Sequence, residues 1–295
     1  MTSTVQSPRK TSGAPRTRRA RQRWRPGYAG PGTYLLALLI TAVFVIPLLL
    51  VVITSFKTDQ ESKVLDLVPP KVWQFGNYIE VFTTGDTVRY LLNSVVLSTS
   101  VVAVSVLVCS MAAFVIARRS SRVTSSVYTY LLVGMIAPFA FIPAIRVLQL
   151  LGLYGTLPGL VLVDVANQMP FIIMIYVGFI KQLPTDLDEA ARIDGCGDVR
   201  IFFSIIFPLL RPVTSTAIVL LLTYAWNEFQ NVLFLMPDNQ GWTMPMSVFN
   251  FQGLHTYNYA LVCADLIVTM LPVVIVYLVG QKYVISGMLA GAVKS

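Results

Sequence analysis

The stretch Thr33–Thr54, TYLLALLITAVFVIPLLLVVIT, decides the fold class. It holds no Asp, Glu, Lys or Arg. As a helix it is long enough to cross the roughly 30 Å hydrocarbon core of a bilayer. A chain of 295 residues with 55% apolar and 12% charged residues carries more such runs than a soluble core uses. Period-two alternation is absent from these runs, which argues against a membrane β-barrel. The expectation is an all-α, polytopic membrane protein.

On the N-terminal side of this run the composition changes. Residues 1–30 are expected to form a disordered basic cytoplasmic tail, and residues 31–295 one transmembrane domain. The tail carries Arg9, Lys10, Arg16, Arg18, Arg19, Arg21, Arg23 and Arg25 with no acid, which is the whole origin of the net charge of +8. Directly before an apolar span, such a tail sets topology and meets anionic membrane lipid rather than nucleic acid. The apolar run is too long for a cleaved signal peptide and lacks a small-residue exit site.

On the C-terminal side five more spans are expected, at Tyr90–Ile116, Ser126–Leu148, Leu157–Ile180, Leu209–Leu235 and Tyr259–Ile285. Lys and Arg concentrate in the N-terminal tail, around Arg118, Arg119 and Arg122, at residues 183–207 and in the C-terminal tail. The intervening loops are acidic or uncharged apart from the lysines of the first. Six spans with both termini in the cytoplasm satisfy that pattern. In the first outer segment, Ser55–Thr87, the pair Pro69-Pro70 with Trp73, Phe75 and Tyr78 suggests folding along the membrane interface.

Between spans four and five lies a charged island, Leu183–Phe207. Thr185 stands three residues before Asp188, and Asp186, Asp188 and Glu189 crowd a first helical turn, where the dipole favours acids. Leu187, Ala190 and Ala191 share one small apolar face. Gly195 and Gly197 permit a tight turn, and Asp198 is placed to cap a second helix that Pro208 ends. This is a cytoplasmic helix-turn-helix elbow, with a small-faced helix suited to docking.

Catalytic chemistry is hard to find. No Gly-Lys pair occurs, so the chain has no phosphate-binding loop of its own. The one histidine, His255, and the scattered Cys109, Cys196 and Cys263 offer neither a metal site nor a triad. Asp164 and Asp265 are the only pair of span acids that intramembrane proteolysis would want, and neither has a catalytic setting. We expect no catalytic residue, no metal and no cofactor in this chain.

Polar residues inside spans are the informative exceptions, because each is costly against lipid. Treated as one helix, span five places Thr223, Tyr224, Asn227, Glu228, Gln230 and Asn231 within an arc of roughly 160°, with Trp226 at its edge. Amides, a carboxylate and aromatic rings suit sugars, although the same groups also glue helices together. Asp164, Glu228, Asp265 and Arg146 lie toward the outer ends of their spans, as an outward vestibule or as interfacial ion pairing would place them. Pro138, Pro143, Pro170 and Pro272 mark candidate kinks.

At the elbow the residues resemble a family. Glu189-Ala190-Ala191, Gly195 after three residues, Ile205 after nine more and Pro208 after two are similar to the EAA loop of binding-protein-dependent ABC importer permeases. Phe207 stands where that family usually has Leu. Leu151-Gly152-Leu153, Pro170-Phe171, Leu183-Pro184 and Trp226-Asn227-Glu228-Phe229 resemble its carbohydrate branch. The ending from Gln281-Lys282-Tyr283 through Gly287 to Lys294 is similar to the maltose-type second permease subunit, and Ser55-Phe56-Lys57, Asn77-Tyr78 and Asn93-Ser94 extend the likeness.

The resemblance implies a permease in the bacterial plasma (inner) membrane that moves a sugar or oligosaccharide inward. Its implied partners are a second related permease, two ABC ATPase subunits that bind ATP and Mg, and an extracytoplasmic sugar-binding protein. Glu189, Ala190, Ala191, Asp194 and Gly195 would then couple to an ATPase, and the C-terminal tail would reach toward it too. Tyr224, Trp226, Asn227, Glu228, Gln230, Asn231, Asp164 and Asp265 are the candidate substrate path. The rival reading is an ion-coupled secondary transporter using Asp164, Glu228 and Asp265.

Overall fold

The computed structural model describes residues 31–119, 121–251 and 257–292. The basic tail, His255 and the last three residues lie outside the described residues. In chain order the helices are α1 (Pro31–Ser55), α2 (Asp59–Ser62), α3 (Gly76–Thr84), α4 (Thr87–Arg118), α5 (Arg122–Gly134), α6 (Phe141–Leu150) and α7 (Leu157–Ile180). There follow α8 (Asp186–Ile193), α9 (Asp198–Ile201), a π turn (Phe202–Ile206), α10 (Phe207–Leu209), α11 (Arg211–Trp226), α12 (Gln230–Leu235) and α13 (Tyr259–Ala292). Short 3-10 turns join α12 to the residues before α13. No strand occurs among the described residues.

The chain divides into two units, residues 1–46 and 47–295. Within the first, the described residues are the opening part of α1, whose Tyr34, Leu38, Val43 and Phe44 side chains are exposed. Four described helices are long and apolar enough to cross a membrane: Gly32–Ser55, Thr87–Arg118, Leu157–Ile180 and Tyr259–Gln281. A bent pair, Asp198–Leu209 and Arg211–Trp226 at 78°, makes a fifth if it counts as one span.

In the second unit α4 packs against α7 and α11, and α11 packs against α13. Small residues allow this. Ser94, Ser98, Val101, Ser105, Cys109 and Ala113 follow one buried face of α4, and α7 supplies Ile172, Ile173, Tyr176, Val177 and Ile180. In lipid, where burial of oil against oil contributes little, such close van der Waals contact drives helix association. Tyr176 Oη donates to Thr214 Oγ1 at 3.0 Å, so a hydroxyl that would be stranded in apolar surroundings ties α7 to α11.

Two expected spans are not continuous helices. The run Ser126–Leu148 breaks between α5 and α6. Met135, Ile136 and Ala137 close the end of α5 with bonds to Leu131, Val133 and Gly134, and Pro138 then bars Ala137 from continuing as helix. Pro143 falls in the first turn of α6, where a missing N–H costs nothing. The run Leu209–Leu235 likewise stops at Trp226 and restarts at Gln230. Near its start, Pro208 follows the π turn and Pro212 stands in the first turn of α11, and the chain bends by 78° between Asp198–Leu209 and Arg211–Trp226.

The segment after α1 is folded around two neighbouring residues. Lys57 is only 3% exposed, and its Nζ donates to Asp66 Oδ1 at 2.6 Å, to the Asp66 carbonyl at 3.1 Å and to the Val64 carbonyl at 3.5 Å. Phe56 gathers Trp73, Phe75 and Tyr78, with ring centroids 5.2–5.3 Å away. Asn77 Nδ2 donates to the carbonyls of Ser55 and Lys57. The Lys57 hydrogen bond holds the Asp66 carboxyl below its ordinary value. A lowered native value means that this pairing is intact above the usual carboxylate range and is lost only as pH falls through the lowered value. Lys57→Met is expected to loosen residues 58–75, read as several-fold faster proteolytic nicking there, with α4 and α7 still intact.

Candidate functional site

The elbow is built by one guanidinium. Arg118, the last residue of α4, places Nε 2.6 Å from Asp188 Oδ2, with the two side chains 8% and 3% exposed. The contact is an ion pair rather than an aligned hydrogen bond, and Asp188 Oδ1 is buried without a partner among the described residues. Arg118 Nη1 donates to the Leu183 carbonyl at 3.1 Å and Nη2 to the Pro184 carbonyl at 3.4 Å. The end of a core helix thus grips both the entry to the elbow and the first turn of α8. Charge-assisted bonds in so dry a place are strong, and so is the cost of losing one partner.

This changes the expected start of α8. Thr185 is its N-cap residue but has helical dihedrals and makes no side-chain cap bond. Asp188, whose spacing suggested a capping box, turns inward to Arg118 instead, and the buried cation outbids an exposed backbone N–H. Asp198 does not cap α9 either; Gly197 holds that position. The Asp198 carboxylate accepts from Arg119 at 3.1 Å and Arg192 at 3.3 Å, which lowers its pKa from the ordinary value. These exposed pairs stabilise weakly.

At the other end of α8 the turn is a Schellman motif. Cys196 N donates to the Ala191 carbonyl at 2.9 Å and Gly195 N to the Arg192 carbonyl at 3.0 Å, with Gly195 at φ +81°. A side chain added at Gly195 would meet nothing within 4 Å. The glycine is needed for its backbone conformation, and the space beside it is open.

The coupling candidates separate by exposure. Glu189, Ala190, Asp194 and Gly195 face outward, whereas Ala191 is buried in the chain's own core. Ile193, at 86% exposed, and Val199 add bare apolar side chains to the outward face. Spacing had not marked Ile193 as a contact residue or Arg118 as an anchor.

The polar residues of the expected fifth span are brought together by a break, not by a helical wheel. Asn227 Nδ2 donates to the Thr223 carbonyl at 2.7 Å and closes the end of α11. Glu228 Oε1 accepts from Asn231 N at 2.8 Å and caps the start of α12. Side chains competing for backbone groups therefore end one helix and begin the next. Asn231 Nδ2, turned inward, donates to Asp164 Oδ1 at 2.7 Å, and Asn167 Nδ2 donates to Tyr224 Oη at 3.2 Å. Asp164, Asn231, Glu228 and Tyr224 share this junction, with Asn227 and Gln230 exposed beside it.

Trp226 and Asp265 stand elsewhere. Trp226 Nε1 donates to the Thr269 carbonyl at 3.1 Å, and the ring packs with Tyr90 and Met244. Asp265 Oδ2 accepts from Ser247 Oγ at 2.6 Å. Asn231→Leu is expected to remove the 2.7 Å donor from the buried Asp164 carboxyl and to destabilise the chain by about 2–3 kcal/mol. Thermal unfolding of the purified protein checks it; an unchanged midpoint would mean that the pair contributes nothing. Among the described residues no group of three or more His, Cys, Asp or Glu is placed to hold a metal.

A protein-family profile described as "Binding-protein-dependent transport system inner membrane component" matches residues 105–289. The "Melibiose/raffinose/stachyose import permease protein MelC" of Bacillus subtilis (strain 168) is 31% identical over 263 residues, 88% of this chain and 95% of that protein. The "Multiple sugar-binding transport system permease protein MsmG" of Streptococcus mutans is 34% identical over 258 residues, 85% of this chain and 92% of that protein. The fold is similar to that of a chain in the crystal structure of a bacterial ABC transporter involved in the import of the acidic polysaccharide alginate. The TM-score is 0.77 at 18% identity, covering 88% of this chain and 99% of that one.

Proposed function

The chain belongs to the family of binding-protein-dependent transport system inner membrane components, and from that premise we propose that it is the permease subunit of an ATP-driven importer for a sugar or oligosaccharide. Relatives named for sugar import, similar along most of their length, support the substrate class. The observation that carries the coupling role is the buried Arg118–Asp188 pair, because it gives the elbow a rigid attachment to the long core helix α4. A docking knob hung on a loose loop would move without taking the bundle along.

In this reading α1, α4, the broken pair α5–α6, α7, α11 with α12 after it, and α13 make six spans, with the elbow and both termini in the cytoplasm. Glu189, Ala190, Ile193, Asp194 and Gly195 meet a separate ATPase subunit. Ala191 contributes from inside, by letting α8 sit close on the core. ATP and Mg belong to the ATPase pair; a second related permease completes the pathway, and an extracytoplasmic binding protein delivers the sugar. Closure of the ATPases pushes the elbow, Arg118 passes the displacement to α4, and the packed α4–α7–α11 core changes the side to which the pathway opens. The exposed amides Asn167, Asn227 and Gln230 with Tyr224 are the surface offered to sugar hydroxyls.

Reconstituted vesicles test this. With ATPase subunits and binding protein present, uptake of a labelled oligosaccharide is expected to require ATP. Uptake driven by an ion gradient with no ATPase subunit would instead establish a secondary transporter.

A further inference from the structure

The ends of α4 and α7 and the start of α5 line an open cleft of about 470 Å³ beside the elbow. Four cations line it, Arg118, Arg119, Arg122 and Lys181, and no acidic residue does. Two are already balanced, Arg118 by Asp188 and Arg119 by Asp198. Arg122 and Lys181 have no carboxylate partner among the described residues, so two positive charges face the cleft uncompensated. Lys181 Nζ is held 5.9 Å above the Tyr128 ring, which limits its wandering. The rest of the lining mixes apolar groups, Ile116, Ala117 and the Tyr128 ring, with the hydroxyls of Ser121, Thr124 and Ser125.

This is an amphiphilic pocket. Ile116 belongs to α4, which is long and apolar enough to cross a bilayer, and Arg118, Arg119 and Lys181 stand where α4 and α7 end. A soluble anion would use the rim and leave the wall bare. A phospholipid uses both, its phosphate on Arg122 and Lys181 and the top of its acyl chains along Ile116 and Tyr128. Basic pockets between helices at a membrane surface take such headgroups. We infer that this pocket seats the phosphate of an anionic phospholipid, which steadies the junction of α4, α5 and α7 next to the elbow. Only the assignment to the cytoplasmic leaflet rests on the proposed function; the binding itself does not.

The test is native mass spectrometry of the full-length chain taken from nanodiscs that contain phosphatidylglycerol and phosphatidylcholine together. Wild type is expected to retain phosphatidylglycerol preferentially, and the preference should fall as salt is raised. Arg122→Gln with Lys181→Gln is expected to weaken that retention roughly 20–30-fold, from about 1 kcal/mol for each cation near the surface. Arg122→Lys with Lys181→Arg should keep it. Lys63→Gln with Arg89→Gln, which removes two charges outside the pocket, should leave it unchanged. Equal retention of the two lipids by wild type would overturn the inference without any variant. Retention of inorganic phosphate with no lipid preference would make it a soluble-anion site, and a phosphatidylglycerol preference unchanged in Arg122→Gln with Lys181→Gln would place the lipid elsewhere. Both outcomes refute the lipid assignment. Neither bears on whether the chain imports sugar, which the vesicle experiment decides separately.

Discussion

Arg118→Leu is expected to destabilise the chain by about 3–5 kcal/mol and to abolish coupled sugar uptake, because it leaves Asp188 charged and buried with no counter-ion. Loss of stability and loss of coupling must be told apart, and the same pair allows it. In Arg118→Leu with Asp188→Leu no buried charge is stranded, so stability is expected to return to near the wild-type value. Coupling should not return, since the two carbonyls of Leu183 and Pro184 have lost the guanidinium that fixed them to α4. Thermal unfolding measures the first effect, and ATP hydrolysis stimulated by loaded binding protein measures the second. A double variant that is stable and fully coupled would show that the pair only holds the fold together.

Gly195→Asp should give the opposite pattern, abolishing uptake while the protein stays folded in the membrane. An Asp Cβ at Gly195 would touch nothing within 4 Å, so no core clash follows. The backbone there is left-handed, at φ +81°, which costs most side chains roughly 1–2 kcal/mol, and Asp and Asn tolerate it best. What the substitution changes is the surface beside Ala190, Ile193 and Asp194, where it adds bulk and charge to the face assigned to the ATPase. Gly195→Asn, with the same conformational tolerance and no charge, should retain more coupling than Asp. Normal sugar-stimulated hydrolysis in Gly195→Asp would remove this face from the contact.

Both predictions involve residues of which the sequence showed one part. Gly195 was legible because a short helix followed by glycine is a local signal, and the αL cap it forms involves backbone groups no more than five residues apart. Arg118 was not. Its partner Asp188 lies seventy positions on, and spacing had assigned that carboxyl to a capping box with Thr185. Nothing local reports that a cation will arrive from another helix and that both groups will be dry.

The polar stretch from Thr223 to Asn231 shows the same limit in another form. Its composition marked it as special, and several of its members do meet at one junction with Asp164. A helical wheel could not describe how they meet, because Asn227 and Glu228 bond to backbone groups and break the helix the wheel assumed. Trp226, adjacent in sequence, turns to Thr269 instead. Span three failed likewise at Pro138, where a local rule about the residue before proline outweighed an apolar run of sufficient length.

The sequence by itself determined the class of protein, the long apolar helices α1, α4, α7 and α13, the glycine turn after α8 and the family. Each rests on runs of apolar residues or on short-range backbone chemistry, and a bilayer enforces both, since a spanning segment must satisfy its own backbone. The tertiary structure alone decided where two spans break, which of the elbow's residues face outward, and that Arg118 joins the elbow to the core. Those depend on which side chains share a buried volume, where one ion pair outweighs several local preferences.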